Sequence, residues 1–108
     1  MPTESRRITF NRNELRDAID GYDGRFSRTA PKGEISIIRS KRHNGKDGYE
    51  IEAYDLDEKE AHQFFIDEDS ALEMLLQSCL QTKVSLPRIA RKLVREINSQ
   101  LCLDLITE

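Results

Sequence analysis

The sequence has little of what metal and redox sites are usually built from. Its 108 residues include two histidines, two cysteines and no tryptophan. Cys79 and Cys102 are too few for a disulfide scaffold and too far apart for a C-x-x-C redox pair. His43 and His62 lie far outside the short spacings that are typical of zinc sites. We therefore expect no metal and no cofactor, and we interpret both cysteines as buried apolar side chains.

Long apolar runs are also missing. The longest have three residues, as in Phe64-Phe65-Ile66, whereas a membrane-spanning helix needs about 20. The first residues contain no apolar stretch of signal-peptide length. These features exclude a transmembrane chain, and we expect a cytoplasmic protein that does not bind membranes.

Motifs for catalysis are absent as well. The sequence has no Gly-x-Ser-x-Gly nucleophile elbow and no calcium-binding loop pattern. Two Gly-x-x-Gly segments occur, at residues 21–24 and 45–48. Neither lies between two predicted helices, where the backbone-clamping loop of a KH domain would lie, so we interpret both as turns. We expect the protein to act without catalysis.

Charged residues, in contrast, are abundant. Asp, Glu, Lys and Arg make up 34% of the chain and apolar residues 37%, which predicts a small core and a strongly charged surface. The net charge of −3 hides a segregation, because residues 1–46 carry a net +5, residues 47–82 a net −10 and residues 83–108 a net +2. The basic and acidic segments either neutralise each other within one domain or face different partners.

The length predicts one domain over residues 1–108, with residues 1–6 expected to be disordered. Asn11 and Glu14 have the spacing of a capping box, which predicts a short helix that ends at one of the following glycines. Residues 21–33 contain three glycines and one proline and are predicted to form a loop.

Three strands are predicted in the middle of the chain. Residues 34–40 are rich in β-branched side chains and residues 49–56 alternate in polarity, which together predict a β-hairpin. Its turn lies at Asn44-Gly45 or at Asp47-Gly48, because both dipeptides tolerate positive φ. Residues 61–66 form the third predicted strand.

A second helix is predicted to run to about Lys83, with Asp67 or Ser70 as its N-cap. Ser70 and Glu73 fit the S-x-x-E capping box. The predicted buried face consists of apolar residues at helical spacing: Ala71, Leu72, Leu75, Leu76, Cys79 and Leu80.

The segment 87–98 fits two different structures. As a helix that begins at Pro87, it separates apolar from basic side chains. As a strand, residues 91–97 would pair with residues 101–106 across a turn near Asn98-Ser99. We predict the helix. With a last strand over residues 100–106 the order becomes β-α-β-β-β-α-α-β, an α+β fold in which two to three helices pack on one face of an antiparallel sheet of four to five strands.

The last predicted strand provides the first candidate site. Leu101, Leu103 and Leu105 alternate along it, and they would form an apolar edge that a second copy or another protein could cover. We therefore predict a small non-enzymatic protein-binding module that forms a homodimer.

Basic residues provide the second candidate site, since arginine and lysine clusters can contact phosphates. The candidate residues are Arg88, Arg91, Lys92 and Arg95 on the predicted helix, followed by Arg39 and Arg42 at the hairpin. The alternative function is therefore a nucleic-acid-binding or regulatory protein. The net negative charge of the whole chain makes it the less favoured of the two.

Overall fold

The computed structural model describes residues 4–22, 33–87 and 90–107. Its elements are β1 (Glu4–Phe10), α1 (Arg12–Gly21), β2 (Glu34–His43), β3 (Lys46–Asp55), β4 (Glu60–Asp67), α2 (Glu68–Gln81), β5 (Arg91–Ile97) and β6 (Gln100–Thr107). The predicted α+β class is confirmed. The described residues form two antiparallel three-stranded sheets and two helices, rather than one larger sheet with up to three helices.

Sheet A has the strand order β1-β6-β5, and β5 corrects the sequence prediction of a helix over residues 87–98. Asn98 and Ser99, with φ of 52° and 62°, form a tight turn that pairs Ile97 with Gln100. Two successive positive φ values are typical of the hairpin turn that matches strand twist. The apolar spacing of this segment fits both periods, and pairing with β6 selects the strand.

β1 starts at Glu4, so the expected disorder is wrong for residues 4–6, whereas residues 1–3 lie outside the described part. The predicted capping box of α1 is confirmed. The Asn11 side chain accepts a hydrogen bond from the Glu14 amide at 2.8 Å, and the Glu14 carboxylate accepts one from the Asn11 amide at 3.0 Å. Of the predicted loop at residues 21–33, most lies outside the described residues.

Sheet B has the order β2-β3-β4 and contains the predicted hairpin and third strand. Its turn lies at Asn44-Gly45, with φ of 51° and 78°, which decides between the two possible turns. Arg39 consequently lies opposite Glu50. The pairing of β2 shifts by one residue between Ile35 and Ile37, whereas β3 and β4 pair without a shift.

Asp67 is the N-cap of α2, and its carboxylate accepts a hydrogen bond from the Ser70 amide at 2.8 Å. Ala71, Leu75 and Cys79 are buried as predicted. Ser70 and Met74 of the same helix are buried as well. Leu80 is 73% exposed, so its predicted burial is wrong. Since Leu80 lies one residue beyond Cys79, it is turned about 100° away from the buried row.

Both helices pack on the inner faces of the two sheets, where Leu15, Leu75, Ile51 and Leu103 share one core. Each sheet therefore has an outer face that lies away from the helices. The sheets adjoin at Ser99 and Ile38. The Ser99 hydroxyl accepts a hydrogen bond from the Ile38 amide at 2.8 Å and donates one to the Ile38 carbonyl at 3.2 Å. The Tyr49 hydroxyl donates to the Val94 carbonyl at 2.9 Å nearby. Neither described helix is long and apolar enough to cross a membrane.

Candidate functional site

The outer face of sheet A contains two of the predicted site residues. Directly paired residues of neighbouring strands point to the same face of a sheet, so the register identifies its members. They are Ser5, Arg7, Thr9, Arg91, Leu93, Arg95, Ile97, Gln100, Cys102, Asp104 and Ile106. We name this surface the arginine face.

Asp104 lies at the centre of the arginine face and binds two arginines. Arg7 donates a bidentate pair of hydrogen bonds to it (an arginine fork), from Nε to Oδ1 at 2.7 Å and from Nη2 to Oδ2 at 3.0 Å. Arg95 approaches from the other neighbouring strand, with Nε 3.1 Å from Oδ2. The hydrogen bonds from Arg7, together with the charges of both arginines, hold the pKa of Asp104 below its ordinary value.

The arginine face is open, positively charged and partly apolar. Arg7, Arg91 and Arg95 are exposed, whereas Leu93 and Ile97 are half-buried. Three arginines and one aspartate leave the face with a net charge of +2. None of its residues is aromatic. Such a surface can bind carboxylates or phosphates through its arginines while its apolar side chains lose contact with water.

The outer face of sheet B contains a similar cluster with a different charge balance. Glu50 accepts from Arg39 Nε at 2.9 Å and from Lys41 Nζ at 2.6 Å. The hydrogen bond from Lys41, followed by that from Arg39, lowers the pKa of Glu50 against the opposing effect of burial. Glu52 lies on the same face and accepts from Gln63 at 3.0 Å. Two cations therefore meet two carboxylates, and this cluster has no excess of positive charge.

The structure separates the basic residues that the sequence analysis grouped together. Arg91 and Arg95 share the arginine face, because residues four apart in a strand point the same way. Lys92 points to the opposite face, where it pairs in register with Leu105, and its Nζ donates to the Ala90 carbonyl at 3.2 Å. The single face proposed for a helix therefore does not exist in β5.

The remaining predicted basic residues lie elsewhere. Arg88 is outside the described residues. Arg39 belongs to the Glu50 cluster of sheet B. Arg42 lies beside the hairpin turn, with its Nε 3.8 Å from an Asp47 oxygen and its Nη2 3.5 Å from the Gly45 carbonyl.

The prediction of an apolar edge at the last strand is wrong. β6 is the central strand of sheet A, because β1 pairs with one side of it and β5 with the other. Leu101, Leu103 and Leu105 are at most 1% exposed and belong to the core. These leucines are therefore packing residues of this chain, and the outward-pointing residues between them form the candidate surface.

Neither Arg7 nor Asp104 was among the site residues predicted from the sequence. The two residues are 97 positions apart, and only the pairing of β1 with β6 brings them together. One signal was present, because Asp104 interrupts the apolar segment Leu101–Ile106. A carboxylate in such a strand needs a cation or several hydrogen-bond donors.

Two other features of the described residues have the shape or the residue types of a binding site. A groove of about 650 Å³ lies between α1 and the turn that follows β3. Its Arg16 already donates to Asp20 at 2.6 Å and to the Gly33 carbonyl at 3.0 Å. The second feature is a cluster of Glu58, Glu60 and His62, whose possible ligand atoms lie within 4.8 Å of one another. Glu58 and Glu60 are exposed and His62 is half-buried, and exposed acidic groups of this kind are common without a metal.

Comparisons with protein-family models, with curated proteins and with solved structures found no match to this chain. The function is therefore inferred from the surfaces themselves. Among those described, the arginine face combines fixed cationic donors with apolar side chains that remain partly in contact with water. It is the surface on which we base the function.

Proposed function

We propose that this protein is a protein-binding module that uses the arginine face to bind a partner segment rich in carboxylate and apolar side chains. The observation that carries the proposal is the position of Asp104 between Arg7 and Arg95. A side chain that is already fixed loses less conformational entropy when a partner binds. The neighbouring Leu93 and Ile97 are half-buried and offer apolar contact, as the interiors of protein interfaces do.

The composition of the arginine face favours a protein over a nucleic acid. Proteins that bind single-stranded nucleic acids usually stack bases on aromatic rings, and this face has none. Binding of phosphates alone remains the second candidate function. It is favoured by Arg91 and Arg95 lying on one exposed face with Arg7.

The charge of the arginine face also bears on the predicted homodimer. A symmetric dimer through this face would bring two sets of arginines together, and like charges across an interface are costly. We therefore propose an acidic partner protein for this face. The absence of catalysis, cofactor and metal, and the cytoplasmic location, stay predictions from the sequence.

Charge reversal at Arg91 tests the proposal. The probes are a labelled peptide of alternating glutamate and leucine and a labelled oligothymidine, and fluorescence anisotropy measures the binding of each. We expect the peptide to bind more tightly, and Arg91→Glu to weaken its binding about tenfold, equivalent to about 1.4 kcal/mol. The control is Arg42→Glu, which makes the same charge change away from this face and should alter the affinity less than twofold.

Each other outcome rejects the proposal in a distinct way. Tighter binding of oligothymidine that Arg91→Glu weakens, and that falls steeply with salt, would put the nucleic-acid function in its place. Equal effects of Arg91→Glu and Arg42→Glu would show that net charge alone attracts the peptide. No binding of either probe would remove the arginine face as the docking surface.

A further inference from the structure

Among the residues that the structure describes, the middle of the edge strand β4 lacks the charged side chains and the register shift by which proteins protect sheet edges. Such edges usually carry charged side chains, bulges or a covering element, because an open edge offers unpaired backbone groups to another chain. Three of the seven residues of β1 and four of the seven residues of β5 are charged. β2 has four charged residues and a shift in register. In β4, the six residues between Glu60 and Asp67 include no Asp, Glu, Lys or Arg.

β4 is also regular and partly apolar. Its pairing with β3 runs without a shift from Asp67 to Glu60. Phe64 and Phe65 are half-buried and point to opposite faces of sheet B. A strand added beside them would gain contact with an aromatic ring on each face, as well as backbone hydrogen bonds.

Charge at the two ends of β4 indicates which strand fits. Glu58 and Glu60 lie at its start, and Asp67, Glu68 and Asp69 lie at its end. Two copies of β4 paired antiparallel about their centres would place Glu60 of each opposite Asp67 of the other, and like charges directly opposite are destabilising. A strand with basic residues at both ends would instead place opposite charges there.

We propose that β4 binds an extended peptide segment that is apolar or β-branched in the middle and basic at both ends, and that the peptide becomes the fourth strand of sheet B. The pairing edge of β4 belongs to sheet B, whereas the arginine face belongs to sheet A. Backbone pairing supplies the attachment, and the acidic ends of β4 select the peptide.

Three peptides test the proposal against the full chain. The first alternates valine and threonine and has lysine at both ends, the second has glutamate at both ends, and the third is the lysine peptide with N-methyl groups on alternate amides. We expect the first to bind, the second to bind at least about tenfold more weakly, and the third not to bind. N-methylation leaves the charge intact and removes backbone donors, so it separates strand pairing from simple attraction.

Hydrogen exchange and one matched pair of variants locate the site. Binding of the lysine peptide should slow amide exchange in residues 60–67. Glu60→Lys should weaken that binding about tenfold, whereas Glu73→Lys, the same change on the exposed side of α2, should have little effect. Equal binding of the N-methylated peptide, equal binding of the glutamate peptide, or protection in β1 or β5 instead of β4 would each overturn the proposal. So would a peptide-free dimer in which β4 is already protected.

Discussion

The two sheets repeat one arrangement with different consequences. In each, the central strand carries a carboxylate on the outer face, its side chain only 11% exposed, between two cations that are about half exposed. In sheet A the cations of Asp104 come from two strands, Arg7 on β1 and Arg95 on β5. In sheet B both cations of Glu50 come from β2.

This difference decides what each cluster can do. Asp104 links all three strands of sheet A and is the only carboxylate among the described residues that the strand register assigns to this face. Glu50 links only two strands, and Glu52 beside it offsets the second cation. Sheet A is therefore linked across its width, and the described residues of its outer face carry an excess of positive charge, whereas the charges of the Glu50 cluster in sheet B are balanced.

The largest expected effect comes from removing each carboxylate in turn. Asp104→Asn should lower the free energy of unfolding by about 2 kcal/mol, and Glu50→Gln by about 1 kcal/mol. Both values are modest because water partly screens the half-exposed cations. Asp104 loses an arginine fork as well as a contact to a third strand. Urea unfolding followed by circular dichroism measures both values.

Glu73→Gln is the control for this comparison, since it makes the same chemical change at an exposed position of α2. It should change the free energy of unfolding by less than about 0.5 kcal/mol. A cost for Glu50→Gln that equals or exceeds the cost for Asp104→Asn would contradict the view that linking three strands matters.

How well a structural feature of this protein can be predicted from the sequence depends on how far apart along the chain its residues lie. The capping box at Asn11 was predictable, and so was the hairpin with its turn at one of two dipeptides, because the residues that form them are neighbours in the chain. The same holds for the strand and helix that follow the turn. For these elements the local chemistry leaves few alternatives.

The candidate site was less predictable because it depends on strand pairing. β5 has a spacing of apolar residues that suits a helix, and only its pairing with β6 makes it a strand. Arg7 meets Asp104 across 97 positions, and no local rule connects them. The division into two sheets likewise follows from which strands pair. Arg91 and Arg95 do share one face, but they lie on a strand rather than on the predicted helix, and Lys92 points to the other face.

A second prediction concerns the place where the two sheets meet. Tyr49→Phe removes the hydroxyl that donates to the Val94 carbonyl and should cost about 1 kcal/mol at neutral pH. The control is Tyr54→Phe on the exposed side of sheet B, which should cost less than about 0.5 kcal/mol. Equal costs would show that this bond does not hold the sheets together.

Tyr49 should also limit stability in alkaline solution. Burial raises its pKa to about 12 from 10.0. As the pH rises above 10, the unfolded chain loses this proton first, so folding free energy is lost until the folded pKa is reached. Phenylalanine cannot ionise, so the difference in stability between the wild type and Tyr49→Phe should shrink above pH 10. Unfolding by urea at about pH 8, below the range of the shift, and at about pH 11, within it, would measure this, and a constant difference would contradict it.

The smallest expected effect is in acid, where both carboxylate clusters should act in the same direction. The pKa of Asp104 and that of Glu50 are held below their ordinary values of 3.8 and 4.5 by the neighbouring cations. As the pH falls, the unfolded chain therefore binds protons first. The stabilisation is complete above about pH 5 and is lost as the pH falls through the ordinary pKa values towards those of the folded protein.

The difference in unfolding free energy between the wild type and the double variant Asp104→Asn, Glu50→Gln should consequently shrink between about pH 5 and pH 3. Urea titrations across that range test this, and a difference that stays constant would mean that the cations do not favour the charged carboxylates. Comparing the two single variants then shows which sheet contributes more, and we expect sheet A, because its carboxylate is held by the arginine fork.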